Sequence, residues 1–177
     1  MLITPEYLEL QKQLHQDKPE YGTNAHYRAP IILSLAQQIG THNILDYGCG
    51  KGSLARIIPY PIHEYDPAIE GKDKLPEPAD FVVCLDMLEH IEPECIEQVL
   101  DDLKRVVKKM GYFVVCIVPA EKILRDGRNA HILLKEDTWW TEKLASRFHI
   151  RQLIHEYNNV HYLVERIDGI EKTNLAY

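Results

Sequence analysis

An α/β fold follows from three features of this chain: a mostly parallel sheet with helices on both faces, closed by an antiparallel C-terminal hairpin strand. First, short apolar runs alternate with helical patterns: 43–47, 61–65, Phe81-Val82-Val83-Cys84-Leu85 and 112–118. Parallel strands need crossover connections, so this alternation is their signature. Second, the run Ile44-Leu45-Asp46-Tyr47 leads into Gly48-Cys49-Gly50-Lys51-Gly52, a buried strand ending in a tight, glycine-lined turn. Third, Asn158-Asn159 divides two strand-like runs over 150–167, which reads as a hairpin.

The elements can be justified in order. Residues 1–20 are polar and predict one short helix with a turn near Pro19. Over 24–39, Ile31, Ile32, Leu35 and Ile39 share one side of a helix that Gly40 stops. Ser53 is placed to cap a short helix that Pro59 ends after Ile58. Pro67, Pro76 and Pro78 break the segment 67–79, which is too short for a full helix and strand; the region between the second strand and the central one is therefore shortened. Phe81–Leu85 is continuously apolar, as a central parallel strand is. In 93–109, Ile96, Val99, Leu100, Leu103, Val106 and Val107 form a stripe of helical period. Acids crowd the start of that helix, bases crowd its end, and Gly111 reads as its stop. A last helix is expected over 136–147, with Trp140, Leu144 and Phe148 at four-residue spacing.

The chain has 177 residues, enough for one domain with a real core. We read 1–177 as that domain, with an N-terminal helical segment (1–40) and a ligand-binding core (43–167). The formal net charge is −7, so nucleic acid is not an expected partner. No apolar run approaches membrane-spanning length, and the start turns polar too early for a signal peptide. Cys49, Cys84, Cys95 and Cys116 have no metal-binding spacing and read as reduced residues of a cytoplasmic protein.

The chemistry concentrates after the strands, where open α/β sheets bind ligands. The glycine turn admits bare backbone against a ligand. Asp66 lies twenty residues beyond Asp46, at the distance where an acid holds ribose hydroxyls. The order Gly-x-Gly-x-Gly differs from the dinucleotide pattern. Asp46 at the strand end would repel a pyrophosphate and suit an amino group.

These residues resemble the first motif of the class I S-adenosylmethionine-dependent methyltransferases, a Rossmann-like family. The run Ile62-His63-Glu64-Tyr65-Asp66 is similar to their second strand, and Ala79 to Pro93, with Leu88-Glu89-His90-Ile91, to their fourth strand and its loop. The strong resemblance covers about 43–118. It implies S-adenosylmethionine as cofactor. Gly48, Gly50 and Gly52 would lie under its methionine portion, Asp46 would face its amino group and Asp66 its ribose. Asp86 would border the sulfonium. His90 or Asp86 is then a candidate general base, with a structural histidine as the equal alternative for His90. Arg128, Asn129, His131 and Trp139 are candidate acceptor contacts, against an ordinary surface loop for the first three and a helix face for Trp139. Tyr21, Tyr27 and Arg28 could form a lid, but their spacing does not require it.

The resemblance thus implies methyl transfer to oxygen or nitrogen of a small-molecule or sugar-like acceptor, with a non-catalytic cofactor- or partner-binding module as the alternative. A second subunit or a partner protein could complete the pocket. Asp86, Glu89, His90 and His131 are also similar to a loop of metal-assisted RNA 2′-O-methyltransferases. The first position here is Asp and only one downstream His remains, so no metal is expected.

Overall fold

The computed structural model describes residues 1–167. In chain order it contains α1 (Pro5–Asp17), a 3-10 turn (Asn24–Arg28), α2 (Ala29–Ile39), β1 (Ile44–Tyr47), β2 (His63–Tyr65), β3 (Ala79–Leu85), a 3-10 turn (Leu88–His90), α3 (Ile96–Val106), β4 (Val107–Cys116), α4 (Asp137–Ala145), β5 (Phe148–Glu156) and β6 (Asn159–Arg166). The six strands form one sheet in the order β2-β1-β3-β4-β6-β5. The first four run parallel, while β6 pairs antiparallel with both β4 and β5. This is the mostly parallel sheet with a closing antiparallel hairpin that the sequence predicts. The segment 67–78 carries no helix or strand, so β2 ends the sheet on that side.

Strand alternation sorts the core into two layers. Phe81, Val83 and Leu85 of β3 pack with Ile32 and Ala36 of α2 on one face. Val82 and Cys84 pack with the α3 stripe and with Trp140 and Leu144 of α4 on the other. The α3 stripe is buried at Ile96, Val99, Leu100, Leu103 and Val106, as its period requires. A third cluster seats α1 on a distant segment: Tyr7 and Leu14 pack with Leu124 and Ala130. Thr4 caps α1 by accepting from the Tyr7 amide at 3.3 Å. Its own amide and hydroxyl also donate to the Glu92 carboxylate, at 2.8 and 2.6 Å. The start of α1 is thereby tied to the loop after β3.

Three local expectations are corrected. The helix expected over 53–58 is a series of turns, and the buried Ser53 hydroxyl caps nothing. The helix expected to run to residue 109 stops at Val106, whose neighbour Val107 is already extended and begins β4. Gly111 is therefore no helix stop. It lies inside β4, between Val82 and Val164. Its missing side chain leaves room for Phe113: a Cβ there would fall 2.6 Å from the Phe113 ring and 2.9 Å from Val164.

We expect Gly111→Ala to overpack this point and lower stability by about 1–3 kcal/mol, read as a lower urea midpoint. An unchanged midpoint would mean that the Phe113 ring swings aside freely.

Candidate active site

The carboxyl ends of β1, β2, β3 and β4 open onto one cavity of about 510 Å³. That volume suits a ligand of nucleoside size with room for a second small molecule. The strand ends supply its floor: Gly48, Cys49 and Gly50 after β1, Asp66 after β2, and Asp86, Glu89 and His90 after β3. Its roof comes from the N-terminal segment, through Tyr7, Gln11, His15 and Tyr21, and from Pro119, Lys122 and His131.

The glycine turn is held by its own backbone. The amides of Gly48 and Cys49 donate to the Tyr65 carbonyl at 2.8 and 3.0 Å. The Gly50 amide donates to Asp66 Oδ2 at 2.9 Å, and the Ala68 amide to Asp66 Oδ1 at 2.9 Å. Each carboxylate oxygen keeps a further lone pair, so Asp66 can still accept from two hydroxyls. Gly48 and Gly50 both have positive φ. A Cβ on Gly48 would lie 2.4 Å from Met87, and one on Gly50 would lie 2.7 Å from the Gly22 carbonyl. The close approach at Gly50 is thus made by the chain's own N-terminal segment. Lys51 reinforces it: its amide donates to the Gly22 carbonyl, and its ammonium to the carbonyls of Lys18 and Pro19.

Gly52 and Asp46 lie beneath this turn, outside the cavity wall. The space at Gly52 is taken by the Glu64–Lys72 ion pair, whose N–O distance is 2.9 Å. Asp46 sits beside Glu64 in the β1–β2 register. It is 1 % exposed, and its Oδ2 has no partner among the described residues. Burial, with the charges of Glu64 and Asp66 beside it, raises its pKa to about 7.

After β3, Asp86 adopts a left-handed backbone (φ 50°). Burial raises its pKa, while the positive charge of Arg28 and the two nearby histidines His161 and His131 act in the other direction. Glu89 is fully buried. Its Oε1 accepts from the Cys116 amide at 3.1 Å, and its Oε2 has no partner among the described residues. His90 Nδ1 lies 2.8 Å from the Ala130 carbonyl and 3.3 Å from the Tyr21 hydroxyl, and burial drives its pKa down to about 3. Its ring meets that of His131 edge-on, with centroids 4.7 Å apart.

Of the expected acceptor contacts, the structure brings His131 to the cavity and keeps the other three away from its wall. Arg128 is exposed, pairs with Asp126 at 2.7 Å and lies 5.4 Å from the centroid of the buried Tyr7 ring. Asn129 braces its own loop: its Oδ1 accepts from the Ala120 and His131 amides and its Nδ2 donates to the Ala120 carbonyl. Trp139 lies on α4, flanked by Lys135 and Lys143. Of the N-terminal wall, the sequence points to Tyr21 as a lid residue but not to Gln11. Its signal was present in α1, where the polar Gln11 shares a face with Tyr7 and Leu14 and is buried with them. Gln11 Nε2 donates to the Tyr7 hydroxyl at 2.7 Å, and the Tyr21 hydroxyl donates to Gln11 Oε1 at 3.1 Å.

With this geometry in place, comparison with known proteins is decisive at the level of family. The family model described as a methyltransferase domain matches residues 10–161. The chain belongs to that family. It is a class I methyltransferase, the group that its first motif resembles, and S-adenosylmethionine is the cofactor of that group. Solved structures share the fold at low identity. One is the 1,6-didemethyltoxoflavin-N1-methyltransferase of Burkholderia thailandensis, with bound 1,6-didemethyltoxoflavin and S-adenosylhomocysteine: TM-score 0.64, 16 % identity, 95 % of this chain and 92 % of that chain covered. A second is the magnesium protoporphyrin IX methyltransferase of Synechocystis PCC 6803 with bound S-adenosylhomocysteine, at TM-score 0.58, 14 % identity and coverage of 80 % and 82 %. A third is the N-methyltransferase NodS of Bradyrhizobium japonicum WM9, at 0.54, 14 %, 80 % and 96 %. A search of curated proteins returned no match. No helix among the described residues is long and apolar enough to cross a membrane.

Asp46 generates a pH prediction. Its folded pKa is raised above the unfolded one, so the native state binds the extra proton between about pH 4 and pH 7. Stability should therefore fall as pH rises through that window, by up to about 4 kcal/mol, and level off above it. In Asp46→Asn the slope should flatten and stability at pH 8 should rise. Urea titrations of both proteins at pH 5 and pH 8 measure it, and equal slopes would remove Asp46 as the source.

Proposed function

We propose that this methyltransferase acts on an oxygen or nitrogen of a small-molecule acceptor held between the strand ends and the N-terminal roof. The observation that carries the reading is the single cavity that joins Gly48, Gly50 and Asp66 to a polar wall from α1, Tyr21 and the 119–131 segment. The cofactor fits the residues present, since the spare lone pairs of Asp66 suit the ribose hydroxyls of an adenosyl ligand and the acids after β3 suit its positive charge. When bound, it supplies an electrophilic methyl group on a sulfonium.

The protein's own part is then mainly positioning. Gly48 and Gly50 let Met87 and Gly22 close on the turn and so fix its place at the cavity floor, and Asp66 accepts from the ribose. The carboxyl groups of Asp86 and Glu89 border the cavity where positive charge is brought in. The hydroxyls of Tyr7 and Tyr21, joined through Gln11, give the acceptor hydrogen-bonding partners at fixed positions. Asp86 and His131 stand at the wall as proton acceptors for a hydroxyl or amine nucleophile. His90 serves this wall structurally, since it is held between the Ala130 carbonyl and the Tyr21 hydroxyl and burial drives its pKa down to about 3, too low for a useful base.

Calorimetric titration with S-adenosylhomocysteine tests the reading. Micromolar binding is expected in the unaltered chain, with at least a tenfold loss in Asp66→Ala, which removes both the ribose acceptor and the partner of the Gly50 amide. Gly50→Arg should abolish it, because the side chain has no space between the turn and Gly22. Binding that is absent from the unaltered chain, or unaffected by both substitutions, would sink the assignment of this cavity.

A further inference from the structure

We propose that His15 of α1 binds the cofactor's ribose together with Asp66, as the hydrogen-bond donor that Asp66 cannot be. An ionised carboxylate only accepts. Asp66 can take the hydrogens of the ribose hydroxyls, but the hydroxyl oxygens still need a donor from another side. His15 stands there: it lines the cavity from the roof, while Asp66 lines it from the floor. The inference rests on the cofactor reading of this cavity and extends it to a residue outside the strand ends.

Three observations carry this. The first is position. A Cβ on Gly22 would lie 2.9 Å from His15 Cε1 and 3.3 Å from Gly50 Cα, so a single bare glycine separates the imidazole from the glycine turn. The Gly50 amide in turn donates to Asp66 Oδ2 at 2.9 Å. The second is unused hydrogen-bonding capacity. His15 Nδ1 is buried and has no partner among the described residues. A polar atom left so is costly. A ring placed only to pack on Tyr21, where the centroids are 4.7 Å apart, would need no nitrogen at all. Rotation about the Cβ–Cγ bond turns one ring nitrogen or the other toward the cavity. The third is the pattern of α1. Tyr7, Gln11 and His15 follow one another at four-residue spacing and all line the cavity, so the helix turns one polar stripe toward it. The first two of these are joined by a hydrogen bond, and His15 is the member whose Nδ1 remains to be paired.

Burial lowers the pKa of His15, with the charge of Asp66 acting against it and that of Lys51 with it. A neutral imidazole has one N–H and one lone pair. The N–H donates to a hydroxyl oxygen whose own hydrogen goes to Asp66. Such a pair reads a sugar that carries its hydroxyls, because a ligand without them leaves both partners unsatisfied. Since α1 also carries Tyr7 and Gln11 to the acceptor wall, the same contact couples cofactor binding to the placement of that wall.

The test is calorimetric titration of the full-length chain with two ligands, S-adenosylhomocysteine and its analogue lacking both ribose hydroxyls. His15→Phe keeps a ring against Tyr21 and removes the donor. His15→Ala removes both, and thermal unfolding shows which variants fold. S-Adenosylhomocysteine should bind each folded variant about fivefold more weakly, the size of one neutral hydrogen bond. The analogue should bind His15→Phe no more weakly than it binds the unaltered chain. A purely structural histidine would instead weaken both ligands alike. Undiminished affinity for S-adenosylhomocysteine in the folded variants, or an equal loss for both ligands, would overturn the proposal and leave the cofactor reading standing. Absence of S-adenosylhomocysteine binding to the unaltered chain would overturn both.

Discussion

The hydrogen bond from the Gly50 amide to Asp66 is the constraint on which the rest of the site depends. It fixes the first glycine turn to the end of β2, and the Tyr65 carbonyl completes the clamp by accepting from Gly48 and Cys49. Positive φ at Gly48 and Gly50 makes the turn tight enough for both bonds. The same bare backbone then receives Gly22, so the fold's N-terminal segment is registered on the turn rather than merely lying near it. Once Gly22 is placed, Tyr21 is carried over the cavity and meets Gln11 and His90. The floor and the roof are thus consequences of one turn geometry.

The roof is held at a second point far from the turn. Thr4 binds Glu92, and Tyr7 and Leu14 pack on Leu124 and Ala130. Because Ala130 also offers its carbonyl to His90, α1, the loop after β3 and the segment after β4 share one neighbourhood. A change in any of the three is felt by the others. The N-terminal helix therefore belongs to the site, although it contributes nothing to the sheet.

The sheet was legible because its signals are local. Continuous apolar character marked β3, the glycine turn marked the end of β1, and Asn158-Asn159 marked the hairpin between β5 and β6. The proline-broken segment after β2 was read correctly as short for the same reason. Misreadings arose where tertiary contacts outweigh local preference. Val107 has the period of the α3 stripe, yet it pairs with Ala79 and opens β4. Gly111 looks like a helix stop, but its lack of a side chain serves the Phe113 ring. At the site, Asp66 and His131 were visible from spacing and type. Gln11 was not, because a polar residue facing a distant cavity has no periodic signature of its own, and Tyr21 was visible only as a lid residue that its spacing did not require. Arg128 and Asn129 are polar loop residues of the expected kind, but their bonds are spent within their own loop.

The electrostatics of the strand ends tie these observations together. Asp46 and Glu89 are buried and Asp86 is half-buried, and desolvation raises the pKa of each. Asp66 stands beside them with its charge balanced by backbone amides rather than by a base. In the free protein this end of the sheet is therefore rich in carboxyl groups that lack enough positive charge nearby. Lys72 offsets part of it from below, through Glu64, and Arg28 offsets part of it at Asp86 and Glu89, but burial still raises both pKa values. A fold does not gain stability from such an arrangement, because buried unpaired carboxyls are costly. The arrangement becomes favourable when a cation enters, since the same low dielectric that penalises the empty carboxyls strengthens their attraction to it. A sulfonium ligand is such a cation. The acids that weaken the empty protein are on this account the ones that select what it binds.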